Sequence, residues 1–189
     1  MARSFDDLSE QDTKSHLVDV ASRALVHWDL AENSTLTLLN ISENATYRVD
    51  NPSLDEPLIL RVHRTGYHTI DAVRTELAWM KALQEQAGVQ TPQALPAADG
   101  EMIKLVETSA LNETRMVVMF AFIEGTEPDE SALLAPFSRL GKIAAKMHAH
   151  ARAWQRPPYF ERLVWDYEGT LGENGNWGRW QDGLGRCGF

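Results

Sequence analysis

The strand-like heptapeptide LILRVHR, residues 58–64, is the feature that most constrains what this chain can fold into. Its alternate residues form two sets that would point to opposite sides of a strand: Leu58, Leu60 and Val62, and Ile59, Arg61 and His63. A strand that is largely apolar on both sides is usually buried on both sides. A buried charged side chain is costly unless it is paired or bound to a charged ligand. Arg61 therefore needs a partner.

The helix predicted over residues 69–88 supplies a candidate partner. Its apolar stripe recurs at about 100° per residue and consists of Ile70, Val73, Leu77, Met80, Leu83 and Ala87. Glu76 falls at about 300° from Val73, inside this stripe. The pattern predicts an ion pair between Arg61 and Glu76. Two alternatives stay open: a salt bridge that only joins helix to sheet, and a stripe wide enough to leave Glu76 at its solvent edge.

The remaining elements define an α+β fold. A first helix is predicted over residues 8–30 with Ser9 as its N-cap. Further strands are predicted in the β-rich runs at 34–42, 45–50, 100–108 and 114–123, which with LILRVHR make five. An acidic segment, EGTEPDES, then leads into helical sequence in which Pro136 suits a first turn. The predicted organisation is a five-stranded antiparallel lobe over 1–123, a linker over 124–130 and the start of a helical lobe over 131–189.

Charge and composition exclude several classes of protein. The net charge is −9, and up to Glu124 there are 19 acidic against 10 basic residues. A nucleic-acid-binding surface needs the opposite sign, so no nucleic-acid partner is expected. No long apolar run spans a membrane, and the acidic N-terminal sequence does not resemble a signal peptide. A single cysteine, Cys187, rules out an internal disulfide framework, and a cytoplasmic location is expected.

The order of elements resembles the N-lobe of the protein-kinase fold, with the 69–88 helix in the place of the kinase αC helix. More specifically, the chain resembles the bacterial aminoglycoside phosphotransferase family, which includes choline-kinase-like and homoserine-kinase-like enzymes. The stretches that carry the resemblance are ENATYRV, LILRVHRTGYHT, TELAWMKAL, MVVMFAFIEG, LGKIAAKMHAHARAW and WDYEGTLGENGNWGRW. In their order they cover nearly the whole chain. The resemblance implies an ATP-dependent phosphotransferase that acts on the hydroxyl group of a small molecule.

The resemblance also implies residue roles at the phosphates. Arg61 would take the place of the kinase β3 lysine and contact the nucleotide α- and β-phosphates, while Glu76 would orient it. A guanidinium can hold phosphate oxygens and a carboxylate together, and it stays charged when buried. Ser42, Glu43 and Asn44 lie where a loop would cover the phosphates, using backbone N–H groups and the Ser42 or Asn44 side chains.

At the other end of the nucleotide, the resemblance implies a hinge whose backbone pairs with the adenine edge. This hinge runs from Met119 through Phe120, Ala121 and Phe122 to Ile123. The apolar walls of the nucleotide site could include Ile41 and Val49, although core packing explains these two residues equally well. His63 and His68 could stand near the phosphates; solvent-facing histidines are the alternative reading.

The catalytic half of this family's machinery is not found in the sequence. These kinases use a loop of the form H-G-D-x-x-x-x-N and a further metal-binding Asp, and neither pattern follows Trp180. No catalytic or metal-binding residue is therefore predicted here, and the ligands of Mg²⁺ are expected in a C-terminal part that is missing. A truncated chain could bind ATP without turnover. The alternative is a non-catalytic kinase-like interaction module, with self-association through its exposed helical part. The acceptor stays unknown.

Overall fold

The computed structural model describes residues 5–126, 134–176 and 178 of the chain. Its first long helix, α1 (Glu10–Ala24), begins after Ser9, whose hydroxyl accepts a hydrogen bond from the Asp12 N–H. A side-chain oxygen at this place satisfies one of the N–H groups that the start of a helix leaves unpaired. The predicted N-cap is therefore confirmed. A 3₁₀ turn, Leu25–Trp28, extends the helix.

A six-stranded antiparallel sheet forms the centre of the structure. Its strands are β1 (Thr35–Ile41), β2 (Asn44–Asp50), β3 (Leu58–His63), β4 (Ala94–Leu95), β5 (Lys104–Thr108) and β6 (Glu113–Ala121). The spatial order is β1-β2-β3-β6-β4, and β5 also pairs with β6. The five predicted strands are all present. The sixth, β4, has two residues, which is too short to give the alternating pattern that identifies a strand in a sequence.

The two faces of the sheet have separate cores. On one face α1 packs against β5, β3, β1 and β6. The buried residues of this core include Leu17, Val20, Tyr47, Val49, Leu60, Val62, Val117 and Met119. On the other face lies the helix α2 (Ile70–Ala87), in a smaller cluster of Val73, Val118 and Phe120 with Ile59, Leu77 and Met80. Because β3 is central and covered on both faces, both of its sides are apolar apart from Arg61 and His63.

The ends of α2 follow from the sequence. Thr69 caps the start, where its hydroxyl accepts a hydrogen bond from the Ala72 N–H. Gly88 ends the helix with φ of 58°, a left-handed conformation that glycine adopts without steric cost. These two residues therefore set the extent of the helix that carries Glu76.

Two further helices are α3 (Leu134–Ala153) and the short α4 (Tyr167–Leu171). The C-terminal half of α3 packs against α2, whereas its N-terminal half leaves apolar side chains in solvent: Leu134 is 90% exposed, Phe137 61% and Leu140 58%. Residues 127–130 of the predicted linker lie outside the described residues. Within the described part, no helix is both long and apolar enough to cross a membrane.

Candidate functional site

Arg61 and Glu76 form the ion pair that the sequence predicts. Arg61 Nη1 donates to Glu76 Oε1 at 2.8 Å. The strand β3 places Arg61 on the face that α2 covers, and α2 turns Glu76 towards it. The side chains are only 19% and 24% exposed. Because both charges are largely withdrawn from water, each stabilises the other more than an exposed pair would.

Two further nitrogens of the Arg61 guanidinium have no hydrogen-bond partner among the described residues. Its Cζ atom lies 4.8 Å from the centre of the Phe120 ring, a favourable cation–π distance. Its Nε and Nη2 atoms are buried and have no hydrogen-bond partner among the described residues. Leaving charged N–H groups buried without an acceptor costs free energy that an anionic oxygen would recover. These nitrogens fit a phosphate group.

Two histidines stand close to Arg61 without adding charge. His63 is 1% exposed, and neither ring nitrogen has a partner among the described residues. Burial, with smaller contributions from Arg61 and His68, lowers the pKa of His63 to about 3. Burial also lowers the pKa of His68, and Arg162 adds to this effect. The solvent-facing interpretation is therefore wrong for His63, which is a neutral group inside the fold.

The turn between β1 and β2 contains the predicted loop residues. Ser42 and Glu43 are exposed, and Asn44 begins β2 opposite His63. The Asn44 Oδ1 atom accepts the Arg64 N–H at 3.2 Å, and Glu43 lies 3.6 Å from Arg64 Nη1. The structure therefore brings this turn to the end of β3 that carries Arg61. The Asn44 side chain already has a backbone partner there.

The predicted hinge residues occupy two different settings. Met119 and Phe120 are buried in β6 and pair with both β3 and β4. The Ala121 N–H donates to Gln93 O at 2.9 Å. Beyond Ala121 the chain leaves the sheet, so Phe122 and Ile123 are the first residues whose backbone lies outside the strand pairing. The adenine contact stays a prediction.

Sequence reasoning missed two residues on the side of the sheet that carries Arg61, named here the Arg61 face. Thr46 pairs with Arg61 and Arg48 with Ile59, so Arg48 and then Asp50 continue this face along β2. Val49 points the other way, into the core under α1, as the core-packing alternative held. Alternation along β2 could have separated Arg48 from Val49, but only the register assigns Arg48 to the Arg61 face.

The described residues contain no cluster of metal ligands, and Arg61 does not line either of the cavities described below. No three histidine, cysteine or carboxylate side chains of the described ranges lie close enough to hold a metal ion. A groove of about 770 Å³ between α2 and the β4–β5 region includes neither Arg61 nor Glu76. A pocket of about 200 Å³ between α2 and α3 includes Glu76, together with Trp79 and Trp154. Arg61 therefore lines neither cavity, and Glu76 lines only the smaller one.

The fold agrees with comparisons to known proteins. The sequence matches the model of the phosphotransferase enzyme family, abbreviated APH, over residues 35–182. The chain belongs to this family. No curated protein sequence gives a significant match.

Two solved structures extend the comparison of this phosphotransferase-family chain. A microcompartment-associated aminopropanol kinase is 43% identical with a TM-score of 0.76, over 87% of this chain and 50% of that one. Amicoumacin kinase hAmiN, in complex with AMP-PNP, Ca²⁺ and Ami, is 19% identical with a TM-score of 0.66, over 86% and 48%. At the lower identity the likeness concerns the fold alone. The phosphotransferase-family chain spans about half the length of either kinase, and its α+β fold is kinase-like.

Proposed function

We propose that this chain is the nucleotide-binding part of an ATP-dependent phosphotransferase that acts on a hydroxyl group of a small molecule. Residues 1–123 form the nucleotide-binding lobe in this proposal, 124–130 the linker and 131–189 part of a helical lobe. Membership of the phosphotransferase family supports the reaction class. Arg61, Glu76 and the Ser42–Asn44 turn bind the phosphates, and the segment from Met119 to Phe122 borders the base.

The observation that carries this proposal is the state of the Arg61 guanidinium. One nitrogen is held by Glu76 at 2.8 Å, and the other two are buried without a partner among the described residues. A salt bridge that served only to join α2 to the sheet would not need those two donors to stay unsatisfied. An anion on the Arg61 face would satisfy them, and it would meet a guanidinium whose orientation is already fixed.

The catalytic base and the metal ligands that phosphoryl transfer requires are not among the proposed site residues. The sequence contains no H-G-D-x-x-x-x-N loop, so the base and the metal ligands of the reaction come from outside these residues. In the proposed enzyme Mg²⁺ accompanies ATP, and this chain contributes the positioning of the phosphates. We therefore expect binding of ATP by this chain and no turnover.

The acceptor class can be narrowed by similarity. At 43% identity, the aminopropanol kinase suggests a small amino alcohol as the first acceptor to test. Homoserine, choline and aminoglycosides are the alternatives within the family. A full-length protein that contains this sequence would be assayed with each compound, by the formation of ADP. Turnover with an aminoglycoside alone would contradict the amino-alcohol assignment.

The test of nucleotide binding is isothermal calorimetry with ATP on the 189-residue chain. We expect Arg61→Ala to weaken binding by at least about tenfold, because charge-assisted hydrogen bonds to phosphate are lost. Glu76→Ala should weaken it less, because it removes the group that orients Arg61. The matched control is Arg23→Ala on α1, which breaks an exposed pair with Asp19. If both site variants bind ATP as the parent does, the assigned roles are wrong.

A second candidate function is a non-catalytic interaction module. The exposed apolar side chains of α3, Leu134, Phe137 and Leu140, favour it, because clusters of this kind often mark contact surfaces. It predicts self-association that does not depend on nucleotide. Sedimentation analysis of the parent and of Phe137→Ser, with and without ATP, separates the two functions. A monomer that binds ATP contradicts the interaction module.

A further inference from the structure

Arg48 lies on the Arg61 face, one row of side chains closer to Phe122. Thr46 is opposite Arg61, and Arg48 is opposite Ile59, two residues further along β2. Two residues of a strand span about 6.6 Å, so Arg48 and Arg61 are separated by about that distance along the strand direction of the Arg61 face. Arg61 marks the end next to the Ser42–Asn44 turn. Arg48 marks the end where the chain leaves β6.

The Arg48 guanidinium is held in a fixed orientation. Its Nε atom lies 3.0 and 2.9 Å from the two Asp50 carboxylate oxygens, and Nη2 lies 2.9 Å from Oδ1. Its Cζ atom is 5.2 Å from the centre of the Phe122 ring. A planar cation fixed by a carboxylate at one edge and an aromatic ring on one side is already arranged as a stacking surface.

The pair is also open to solvent. The Arg48 and Asp50 side chains are 38% and 44% exposed. On the next strand, Thr37 and Thr35 stand opposite Arg48 and Asp50, and both threonines are exposed. This end of the Arg61 face therefore presents polar groups and a flat cation. The apolar side chain next to Arg48, Val49, lies in the core on the opposite face.

We infer that Arg48 is the stacking surface for the nucleobase, and that Asp50 positions it. The inference rests on the proposed function, since it needs the phosphates at Arg61. A guanidinium stacks favourably on an aromatic face, and the contact does not read the edge of the base. Arg48 therefore makes the chain bind a nucleoside triphosphate more tightly than a triphosphate that has no base. It discriminates little between adenine and guanine.

The ordinary alternative is an exposed ion pair within one strand. Such a pair contributes little to stability and has no effect on a ligand. Stability alone cannot separate the two readings, whereas dependence on the base can. The ligands for the test are therefore ATP, GTP and inorganic tripolyphosphate, each titrated into the full 189-residue chain by calorimetry.

We expect Arg48→Ala to weaken ATP and GTP by about tenfold each, as a stacked cation contributes, and to leave tripolyphosphate unchanged. Arg48→Tyr keeps a stacking ring without the charge, so it should restore most of the binding of ATP. Asp50→Asn should cause a smaller loss for both nucleotides and none for tripolyphosphate. Arg61→Ala weakens all three ligands, and Arg23→Ala changes none.

Each other outcome has a distinct meaning. If the parent binds all three ligands and Arg48→Ala binds them equally well, the pair is structural and only the inference fails. If Arg48→Ala loses tripolyphosphate as much as ATP, Arg48 acts on the phosphates and stacking is overturned. If the parent binds neither ATP nor tripolyphosphate, the proposed function fails and this inference fails with it. Unfolding midpoints confirm that each variant is folded.

Discussion

Trp79 on α2 donates its indole N–H to the Nδ1 atom of His150 on α3, at 3.2 Å. The other ring nitrogen of His150, Nε2, lies 2.9 Å from Gln86 Oε1, also on α2. Because an indole N–H can only donate, Nδ1 is the acceptor and Nε2 carries the proton. Two residues of α2 therefore fix one imidazole of α3. Trp79 is one turn from Glu76, so this contact also steadies the helix that orients Arg61.

We expect the Trp79–His150 bond to contribute about 1 kcal/mol to the free energy of unfolding. Trp79→Phe removes the donor and keeps an aromatic ring, and His150→Phe removes the acceptor. A double-mutant cycle by urea unfolding measures their coupling, because it cancels the separate packing losses. Effects that add without coupling would mean that the hydrogen bond contributes nothing to stability.

We expect the Arg61–Glu76 pair to be necessary for ATP binding but replaceable, as a pair, with little loss of stability. Glu76→Ala leaves a mostly buried cation unpaired, and we expect it to lower the free energy of unfolding by about 1–3 kcal/mol. Replacing both residues, as Arg61→Met with Glu76→Leu, should recover most of that loss, because paired buried charges are replaced by apolar packing. Calorimetry should still find no ATP binding in the double variant. A double variant as unstable as Glu76→Ala would indicate a mainly structural pair.

Glu113 anchors α1 to the sheet on the face opposite Arg61. Its carboxylate accepts a hydrogen bond from Arg115 and lies 2.7 Å from His16 Nε2, while the Arg115 side chain is 2% exposed. Burial would raise the pKa of Glu113, but the hydrogen bonds from Arg115 and His16 lower it below its usual value.

We expect Glu113→Ala to lower the free energy of unfolding by about 3–5 kcal/mol, because it leaves the buried Arg115 guanidinium without its carboxylate partner. Urea unfolding at neutral pH measures this loss. Glu107→Ala is the matched control, since Glu107 is an exposed residue of the neighbouring strand β5. A loss as small as that of the control would mean that Arg115 is satisfied without Glu113.

His63 should make the protein sensitive to mild acid. Burial lowers its pKa to about 3 in the folded state from an ordinary 6.5, so the unfolded chain binds a proton that the folded chain does not. The stability linked to neutral His63 is fully present above pH 6.5, and it is progressively lost as the pH falls towards 3.

We expect the stability difference between His63→Leu and the parent to change by about 2 kcal/mol between pH 7 and pH 5, in favour of the variant at the lower pH. Urea unfolding at the two pH values gives this difference. If the two proteins lose stability in parallel, His63 takes up its proton in the folded state as readily as in the unfolded state.

The secondary structure and the central ion pair follow from local rules. A hydroxyl at Ser9 and at Thr69 starts a helix because each side chain satisfies a free N–H. The pairing of Arg61 with Glu76 could be predicted from the sequence, because the period of a strand and the period of a helix each place one of these charges on an inward face. These patterns repeat over neighbouring residues, so a sequence displays them directly.

Only the tertiary structure decided which side of each strand meets which neighbour. Alternation along β2 separates Arg48 from Val49, but the register with β3 is what puts Arg48 on the Arg61 face and Val49 under α1. Likewise His16 and Glu113 meet across 97 residues of sequence. Contacts at such a distance depend on how the whole chain packs. The sequence by itself therefore determined the long helices, the five longer strands and the Arg61–Glu76 pair. Packing decided the burial of His63 and the position of Arg48.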